Sequence, residues 1–321
     1  MASTSSSPKY NVALIGLGTI GISFAALHLR YGTGTVKVFD PRPDLQLFAE
    51  SSLPDYLDPS PGAPKLADLQ AQGRFVICRS LQEACANADV IQEQGPEKLE
   101  FKRNIWQTIE QHAPEKAHLW SSTSGLPASS QNQSMQDQSR LLVVHPFNPP
   151  HIMPLIEVVP STTTAPEEVS FATSYFQQLN SRHRPVVIKK ELPGFVGNRL
   201  AYILFKEAAF LVKEDIVSVE DLDAIMETSL GPRFAVQGPF KAYHLGGGAA
   251  GIRGFLSNLG STIQNVWDSY EDFKLGTGED ASSWEEKIIK QTEDAYGVPD
   301  QAQFTMRDTQ LRSVLKTQKT Q

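Results

Sequence analysis

Short, mostly apolar runs alternate with longer segments of helical periodicity over the first half of the chain. A run of four or five such residues is long enough for a strand that is buried on both faces of a sheet. We predict strands at residues 12–15, 35–39, 75–78, 90–94, 118–122, 141–144 and 156–159. Strands that alternate with helices indicate an α/β fold with a doubly wound, mainly parallel sheet. Ligands bind such sheets outside the carboxyl ends of the strands.

The pattern changes near residue 190, beyond which we predict helices alone. They cover residues 196–213, 219–231, 254–272, 284–295 and 306–316. The first is apolar on more than one face, which predicts a central position in a second, all-helical domain. We expect a disordered, serine-rich tail (1–9), a nucleotide-binding domain (10–190) and a helical domain (191–321). Within the second of these, residues 41–74 are expected to form loops and a short helix, which is a candidate lid on the substrate side.

A glycine-rich loop with the spacing G-x-G-x-x-G follows the first predicted strand. It consists of Gly16, Gly18 and Gly21, with Thr19 and Ile20 between them. The first glycine permits the tight turn, the second lets the backbone approach a pyrophosphate, and the third lets helix and strand pack closely. Because strand, loop, helix and second strand follow in order, we predict a Rossmann dinucleotide-binding unit rather than an ordinary glycine turn. The pyrophosphate would meet the positive end of the helix dipole.

The acid at the end of the second strand bears on the choice of cofactor. Asp40 lies about 20 residues beyond the loop, at the distance expected for a carboxylate that binds the adenosine ribose. It would repel a 2′-phosphate, which favours NAD over NADP. Arg42 follows two residues later and offers an alternative, since an arginine can pair with that phosphate.

Composition narrows the functional classes. The 321 residues carry a net charge of −7, which argues against binding to a nucleic-acid backbone. Cys78 and Cys85 have no metal-site spacing and are expected to be reduced, buried thiols. No apolar run approaches the length that spans a membrane. We expect a soluble, cytoplasmic protein with a small-molecule substrate.

One histidine is well placed for proton transfer. His145 ends an apolar strand at the ligand-binding edge and precedes a proline-rich turn that leads back to Glu157. A histidine can take a proton near neutral pH, and a carboxylate at its far nitrogen would fix the tautomer. Alone, a histidine at a strand end is more often structural than catalytic. His151 raises the idea of a metal pair, but no third ligand with suitable spacing follows, so we predict no metal site.

Several motifs together resemble one family. They are STS at 122–124, HPFNPP from 145, PLIEVVP at 154–160, PGFVGNRL at 193–200 and GPRFAVQGP at 231–239. This set resembles the L-3-hydroxyacyl-CoA dehydrogenase superfamily, and its form is most similar to the lambda-crystallin / L-gulonate 3-dehydrogenase branch. The similarity extends from residue 10 to about residue 268.

The resemblance implies a role for each matched residue. His145 matches the family's catalytic histidine, and Glu157 matches the acid paired with it. Ser124 and Asn198 match the polar pair that holds the substrate oxygen. Two further matches, Glu97 and Lys102, fall on positions near the nicotinamide ribose. The helical domain resembles a dimerisation domain, which implies a homodimer.

The chain also departs from the acyl-CoA branch of this family. Gly125 replaces a serine, and Lys65 and Arg74 are the only cations between Pro43 and Arg79, where CoA phosphates would need positive charge. Arg233 stands in the stretch 231–239, expected to be a loop, and an arginine can grip a carboxylate through two hydrogen bonds. We hypothesise that it binds a free substrate carboxylate; the alternative is a surface arginine or an interface salt bridge.

The expected protein is an NAD-dependent dehydrogenase of a small polar or carboxylated 3-hydroxy acid. A true 3-hydroxyacyl-CoA dehydrogenase is the alternative within the enzyme class. From another class, the chain could be a catalytically silent NAD-binding structural protein of the crystallin kind.

Overall fold

The computed structural model describes residues 9–57, 63–179, 181–275 and 283–318. The chain divides into two compact units, Met1–Arg199 and Leu200–Gln321. The expected boundary near residue 190 falls shortly before this division. Most of the expected tail, residues 1–8, lies outside the described residues.

The described part of the first unit contains one eight-stranded sheet. Its strands are β1 (Val12–Ile15), β2 (Val36–Phe39), β3 (Phe75–Ile77), β4 (Val90–Glu93), β5 (His118–Ser121), β6 (Leu141–Pro146), β7 (Leu155–Pro160) and β8 (Arg184–Val187). The spatial order is β3-β2-β1-β4-β5-β6-β7-β8. All neighbours pair in parallel except β6 and β7, which are antiparallel. The seven predicted strands are confirmed, and β8 was not predicted.

Helices cover both faces of this sheet. They are α1 (Thr19–Tyr31), α2 (Leu45–Tyr56), α3 (Leu66–Ala71), α4 (Leu81–Cys85), α5 (Leu99–His112), α6 (Ala128–Gln131) and α7 (Pro166–Gln178). Segment 41–74, expected to be mostly loop, therefore contains two helices. Their leucines, Leu45, Leu53 and Leu66 among them, are buried in the core.

Alternation along the strands divides the core into two layers. In β1, Val12 and Leu14 face a layer that includes α1, α2 and α7, whereas Ala13 and Ile15 face the layer that includes α5. Burial on both faces is the reason that a central strand such as β1 is apolar at every position. The prediction of a doubly wound α/β sheet is confirmed.

A chain of polar side chains crosses this core. The Tyr175 hydroxyl lies 2.9 Å from His28 Nδ1, and His28 Nε2 lies 3.2 Å from Gln92 Oε1. The Gln92 amide in turn donates to the Ser122 hydroxyl at 2.9 Å. Burial lowers the pKa of His28 to about 4, so the ring is neutral in the folded protein.

The second unit is helical in its described residues. Its helices are α8 (Gly197–Lys213, which begins in the first unit), α9 (Val219–Thr228), α10 (Leu230–Val236), α11 (Pro239–Gly246), α12 (Gly251–Asp268), α13 (Ser283–Tyr296) and α14 (Gln301–Thr317). Two expectations were wrong here. The helix predicted at 219–231 ends at Thr228, and the stretch 231–239, expected to be a loop, holds most of α10 and the start of α11.

The first helix of this unit also differs from the expectation. Only Ala209 and Val212 of α8 are buried. Five large apolar side chains in its first half are 46% to 61% exposed in the single chain, namely Leu200, Tyr202, Ile203, Leu204 and Phe205. Apolar side chains exposed in this number along one helix are typical of an interaction surface. Among the described helices, none combines the length and the hydropathy that crossing a bilayer requires.

Candidate functional site

The glycine loop leaves β1 in a conformation that only glycine adopts easily. Gly16 has a φ of +101°, and its N–H donates to the Phe39 carbonyl at 2.8 Å. A Cβ on Gly21 would lie 2.1 Å from the Gly16 carbonyl oxygen, so a side chain there would break the turn. A Cβ on Gly18, in contrast, would meet no described atom within 4 Å. The loop therefore leaves room beside α1, whose first residues are Thr19 and Ile20, and fits the pyrophosphate of a dinucleotide.

Asp40 lies beside this loop, directly after β2. Its carboxylate accepts hydrogen bonds from the Leu17 N–H at 2.8 Å and the Arg42 N–H at 3.0 Å. Arg42 itself pairs with Asp44 (Nε to Oδ1, 2.8 Å) and stacks on the Phe48 ring at 3.8 Å. A guanidinium engaged in this way is not free to bind a 2′-phosphate, which favours NAD.

Lys102 of α5 is buried in an ion pair with Glu93, the last residue of β4, which was not predicted from the sequence. Its ammonium lies 2.9 and 2.8 Å from the two carboxylate oxygens of Glu93, and both residues have zero exposure. Glu93 also accepts the Gly95 N–H at 2.6 Å, while Lys102 donates to the Gly95 carbonyl at 3.1 Å. Burial raises the pKa of Glu93, and the ammonium opposes this shift. An acid at a strand end followed by a lysine on the next helix is a signal that could have revealed the pair.

Glu97 lies between Glu93 and Lys102 in the sequence, and its carboxylate contacts the loop that follows β5. One Glu97 oxygen, Oε1, accepts from the Thr123 hydroxyl at 2.5 Å, the Ser124 N–H at 3.1 Å and the Gly125 N–H at 2.9 Å. Glu97 thereby fixes the backbone of the loop that carries Ser124.

His145 and Glu157 are direct partners in the antiparallel pair of β6 and β7. His145 Nδ1 lies 2.8 Å from Glu157 Oε2, and both residues are buried. Because a carboxylate only accepts, Nδ1 donates and Nε2 is left as the acceptor of the neutral ring. The pairing proposed from sequence is therefore present in the structure.

The other oxygen of Glu157 holds the start of α8. Oε1 accepts the N–H groups of Val196 and Gly197, each at 3.0 Å. Burial alone would raise the pKa of Glu157, but the hydrogen bonds from His145 and these two amides outweigh it and lower the pKa below its usual value. Glu157 is thus held as a carboxylate.

Asn198, on the first turn of α8, completes the group. Its amide donates to the Ser124 carbonyl at 2.8 Å and lies 3.5 Å from His145 Nε2. Ser124, Asn198 and the free side of His145 are therefore neighbours, as the sequence analysis expected.

The turn before α8 is strained. Gly194 and Phe195 have φ values of +73° and +52°, and Phe195 is fully buried with its ring 5.3 Å from the His145 ring. Positive φ at a bulky residue is uncommon and clusters at functional sites. This conformation aims the Val196 and Gly197 amides at Glu157. The contribution of Phe195 was not predicted, although its place in the PGFVGN motif was a signal.

Arg233 belongs to the second unit. It lies on α10 with an exposed side chain.

Two family models match the chain between residues 11 and 279. Residues 11–192 match the model described as 3-hydroxyacyl-CoA dehydrogenase, NAD binding domain. Residues 194–279 match the model described as 3-hydroxyacyl-CoA dehydrogenase, C-terminal domain.

Individual relatives agree with these models. An L-carnitine dehydrogenase/betainyl-CoA thioesterase of Rhizobium meliloti is 37% identical over 260 residues, which are 81% of this chain but only 52% of that protein. A 3-hydroxyacyl-CoA dehydrogenase of Gibberella moniliformis is 39% identical over 265 residues, 80% of this chain and 79% of that one. The crystal structure of an NAD⁺-dependent 5-formyl-3-hydroxy-2-methylpyridine 4-carboxylic acid 5-dehydrogenase superposes with a TM-score of 0.75 at 26% identity, covering 97% of this chain and 100% of that one.

The buried ion pair gives a stability prediction. Replacing Lys102 with Met leaves the Glu93 carboxylate buried without its partner, which is expected to lower the free energy of unfolding by about 3–5 kcal/mol. The double variant Glu93→Gln/Lys102→Met has no buried charge and should lose less. Urea unfolding measures both, with Lys98→Met, an exposed lysine beside the same helix, as the control. A double variant less stable than Lys102→Met would contradict this account.

Proposed function

Since the chain belongs to the 3-hydroxyacyl-CoA dehydrogenase family, whose first domain binds NAD, we propose that it oxidises the hydroxyl group of a small carboxylated 3-hydroxy acid. The observation that carries this proposal is the His145–Glu157 pair, with the Asn198 amide beside the Nε2 nitrogen of the imidazole. The chain matches only half of the Rhizobium relative, so the substrate is inferred from the site of this chain.

We assign each of these residues a part in the proton transfer. His145 Nε2 takes the hydroxyl proton, and Glu157, bonded to Nδ1, stabilises the imidazolium that forms. Ser124 and Asn198 hold the substrate oxygen beside Nε2, and in the reverse direction they stabilise negative charge on the carbonyl oxygen. NAD, when bound, supplies the hydride acceptor. Glu97 and Lys102 act on this site by shaping the loops around it, and the same segment is our candidate for contact with the nicotinamide ribose.

The cations of the first unit favour a free acid over an acyl-CoA. Arg74 donates to the carbonyl oxygens of Leu29, Gly32 and Gly34, so it caps the end of α1 and is not available to a CoA phosphate. Lys65 is then the remaining cation between Pro43 and Arg79. The Rhizobium relative is named for L-carnitine, which is itself a 3-hydroxy carboxylate. The Gibberella relative is named a 3-hydroxyacyl-CoA dehydrogenase, so an acyl-CoA thioester is the second candidate substrate.

Turnover on a substrate panel tests the proposal. NADH formation should be measured with L-carnitine, L-gulonate, 3-hydroxybutyrate and 3-hydroxybutyryl-CoA, and kcat/KM is expected to be highest on a free acid. His145→Gln should lower kcat by about 10²- to 10⁴-fold while NADH still binds. A higher kcat/KM on the thioester would establish the second candidate. Binding of NADH without any turnover would instead indicate a silent structural protein.

We also propose that Arg233 binds the free carboxylate of the substrate. Its guanidinium is exposed, and two parallel hydrogen bonds to a carboxylate are its preferred interaction. Arg233→Ala should raise KM for the acid by about tenfold or more, because a charged hydrogen bond contributes about 1.5–3 kcal/mol. Arg253→Ala, an exposed arginine on α12, is the matched control. Equal kinetic constants in both variants would leave Arg233 as a surface or interface residue.

A homodimer formed through the helical unit is the proposed assembly. The exposed apolar side chains of α8 support it, because monomers seldom leave such a group of apolar side chains in water. Sedimentation velocity should give about twice the 35.4 kDa of one chain, and Ile203→Glu should shift it to a single chain. Leu47→Glu, an exposed leucine on α2, is the control. A single-chain mass for the unmodified protein would exclude the dimer.

The two cysteines are free and buried, and burial raises the pKa of Cys85 to about 12. Thiols of this kind suit a reducing compartment, and we propose the cytoplasm.

A further inference from the structure

Ser23 and His151 join two parts of the first unit that are far apart in sequence. Ser23 lies on the second turn of α1, and His151 lies in the turn between β6 and β7. The Ser23 hydroxyl is 2.7 Å from His151 Nδ1, and it accepts the His151 backbone N–H at 2.9 Å. Ser23 has zero exposure and His151 is 6% exposed, so water does not compete for these bonds.

This double contact fixes the turn to the helix. The hydroxyl oxygen accepts the backbone N–H of His151 and is also hydrogen-bonded to the ring at Nδ1, so it restrains both the main chain and the side chain. The His151 ring also packs against Tyr56 of α2, with ring centroids 4.9 Å apart. His151, which we had considered as a metal ligand, is therefore used in packing and hydrogen bonding.

The two joined parts have different tasks in the proposed reaction. Helix α1 begins at the glycine loop and determines where the cofactor pyrophosphate lies. The turn connects the two strands that carry His145 and Glu157. The distance between the hydride acceptor and the base therefore depends on how α1 and this turn are held together.

We propose that Ser23 and His151 are a positioning pair that sets the cofactor helix against the proton-transfer pair. This inference rests on the proposed function, because it assumes that His145 acts on a substrate beside the cofactor. A small misplacement of reacting groups lowers kcat strongly, whereas the affinity of each group for its own ligand is retained.

Kinetics of three variants test the pair. Ser23→Ala and His151→Leu should each lower kcat by about tenfold or more, with KM for NAD changed less than about twofold. His151→Asn keeps a hydrogen-bonding atom near the position of Nδ1 and should recover most of the loss. Ser161→Ala is the control, since Ser161 is a buried serine that accepts the N–H groups of Thr163 and Thr164 just beyond the opposite end of β7. An unchanged kcat in Ser23→Ala, or an equal loss in Ser161→Ala, would overturn the proposal.

A second measurement needs no substrate. Hydrogen exchange of residues 146–154 should slow when NADH binds the unmodified protein, and this response should be lost in Ser23→Ala although NADH still binds. A response that persists in the variant, or that is absent in the unmodified protein, would show that the pair does not couple the two parts. Failure of the proposed function would appear differently, as absence of turnover on every hydroxy acid with the exchange response intact.

Discussion

The carboxylate of Glu157 is the interaction on which the site depends. Burying a charge is costly unless it is fully hydrogen-bonded, and this carboxylate is met by the His145 ring and two backbone amides. Its two oxygens therefore tie the β6–β7 pair to the start of α8. The same turn that supplies the amides brings Asn198 to the free side of the imidazole. Removing this one group would release the base and its polar neighbours together.

Sheet topology explains why distant residues converge. The carboxyl ends of β1, β4 and β5 lie at one edge, and they carry the glycine loop, the Glu93–Lys102 segment and the Ser124 loop respectively. His145 lies near the carboxyl end of β6, beside β5. The reversal of β7 then places Glu157 directly opposite His145, which a parallel crossover could not achieve over so short a connection.

The strands and the glycine loop could be predicted from the sequence, because apolar runs indicate buried strands and the glycine spacing indicates a tight turn. Helices α7 and α10 show no comparable pattern in the sequence. Helix α7 is largely polar and partly exposed, and glycine and proline at 231–232 suggested a loop although proline is tolerated in the first turn of α10. The Glu93–Lys102 pair was not predicted because charged residues are rarely buried, although the acid at the strand end and the lysine on the next helix were a weaker signal of it. The exposure of the apolar side chains of α8 could not be predicted either. The sequence of an apolar helix does not show whether its side chains are covered by the same chain or by a partner.

The polar chain through the core has a consequence for acid tolerance. His28 has a folded pKa of about 4 and an ordinary value of 6.5. Between these two pH values His28 is protonated in the unfolded chain but neutral in the folded core. The free energy of unfolding therefore falls by about 3 kcal/mol as the solution is acidified from pH 6.5 to pH 4. Above pH 6.5 the full contribution is present. A buried ring to which we assign no part in the reaction thus contributes to the pH below which the folded protein loses stability.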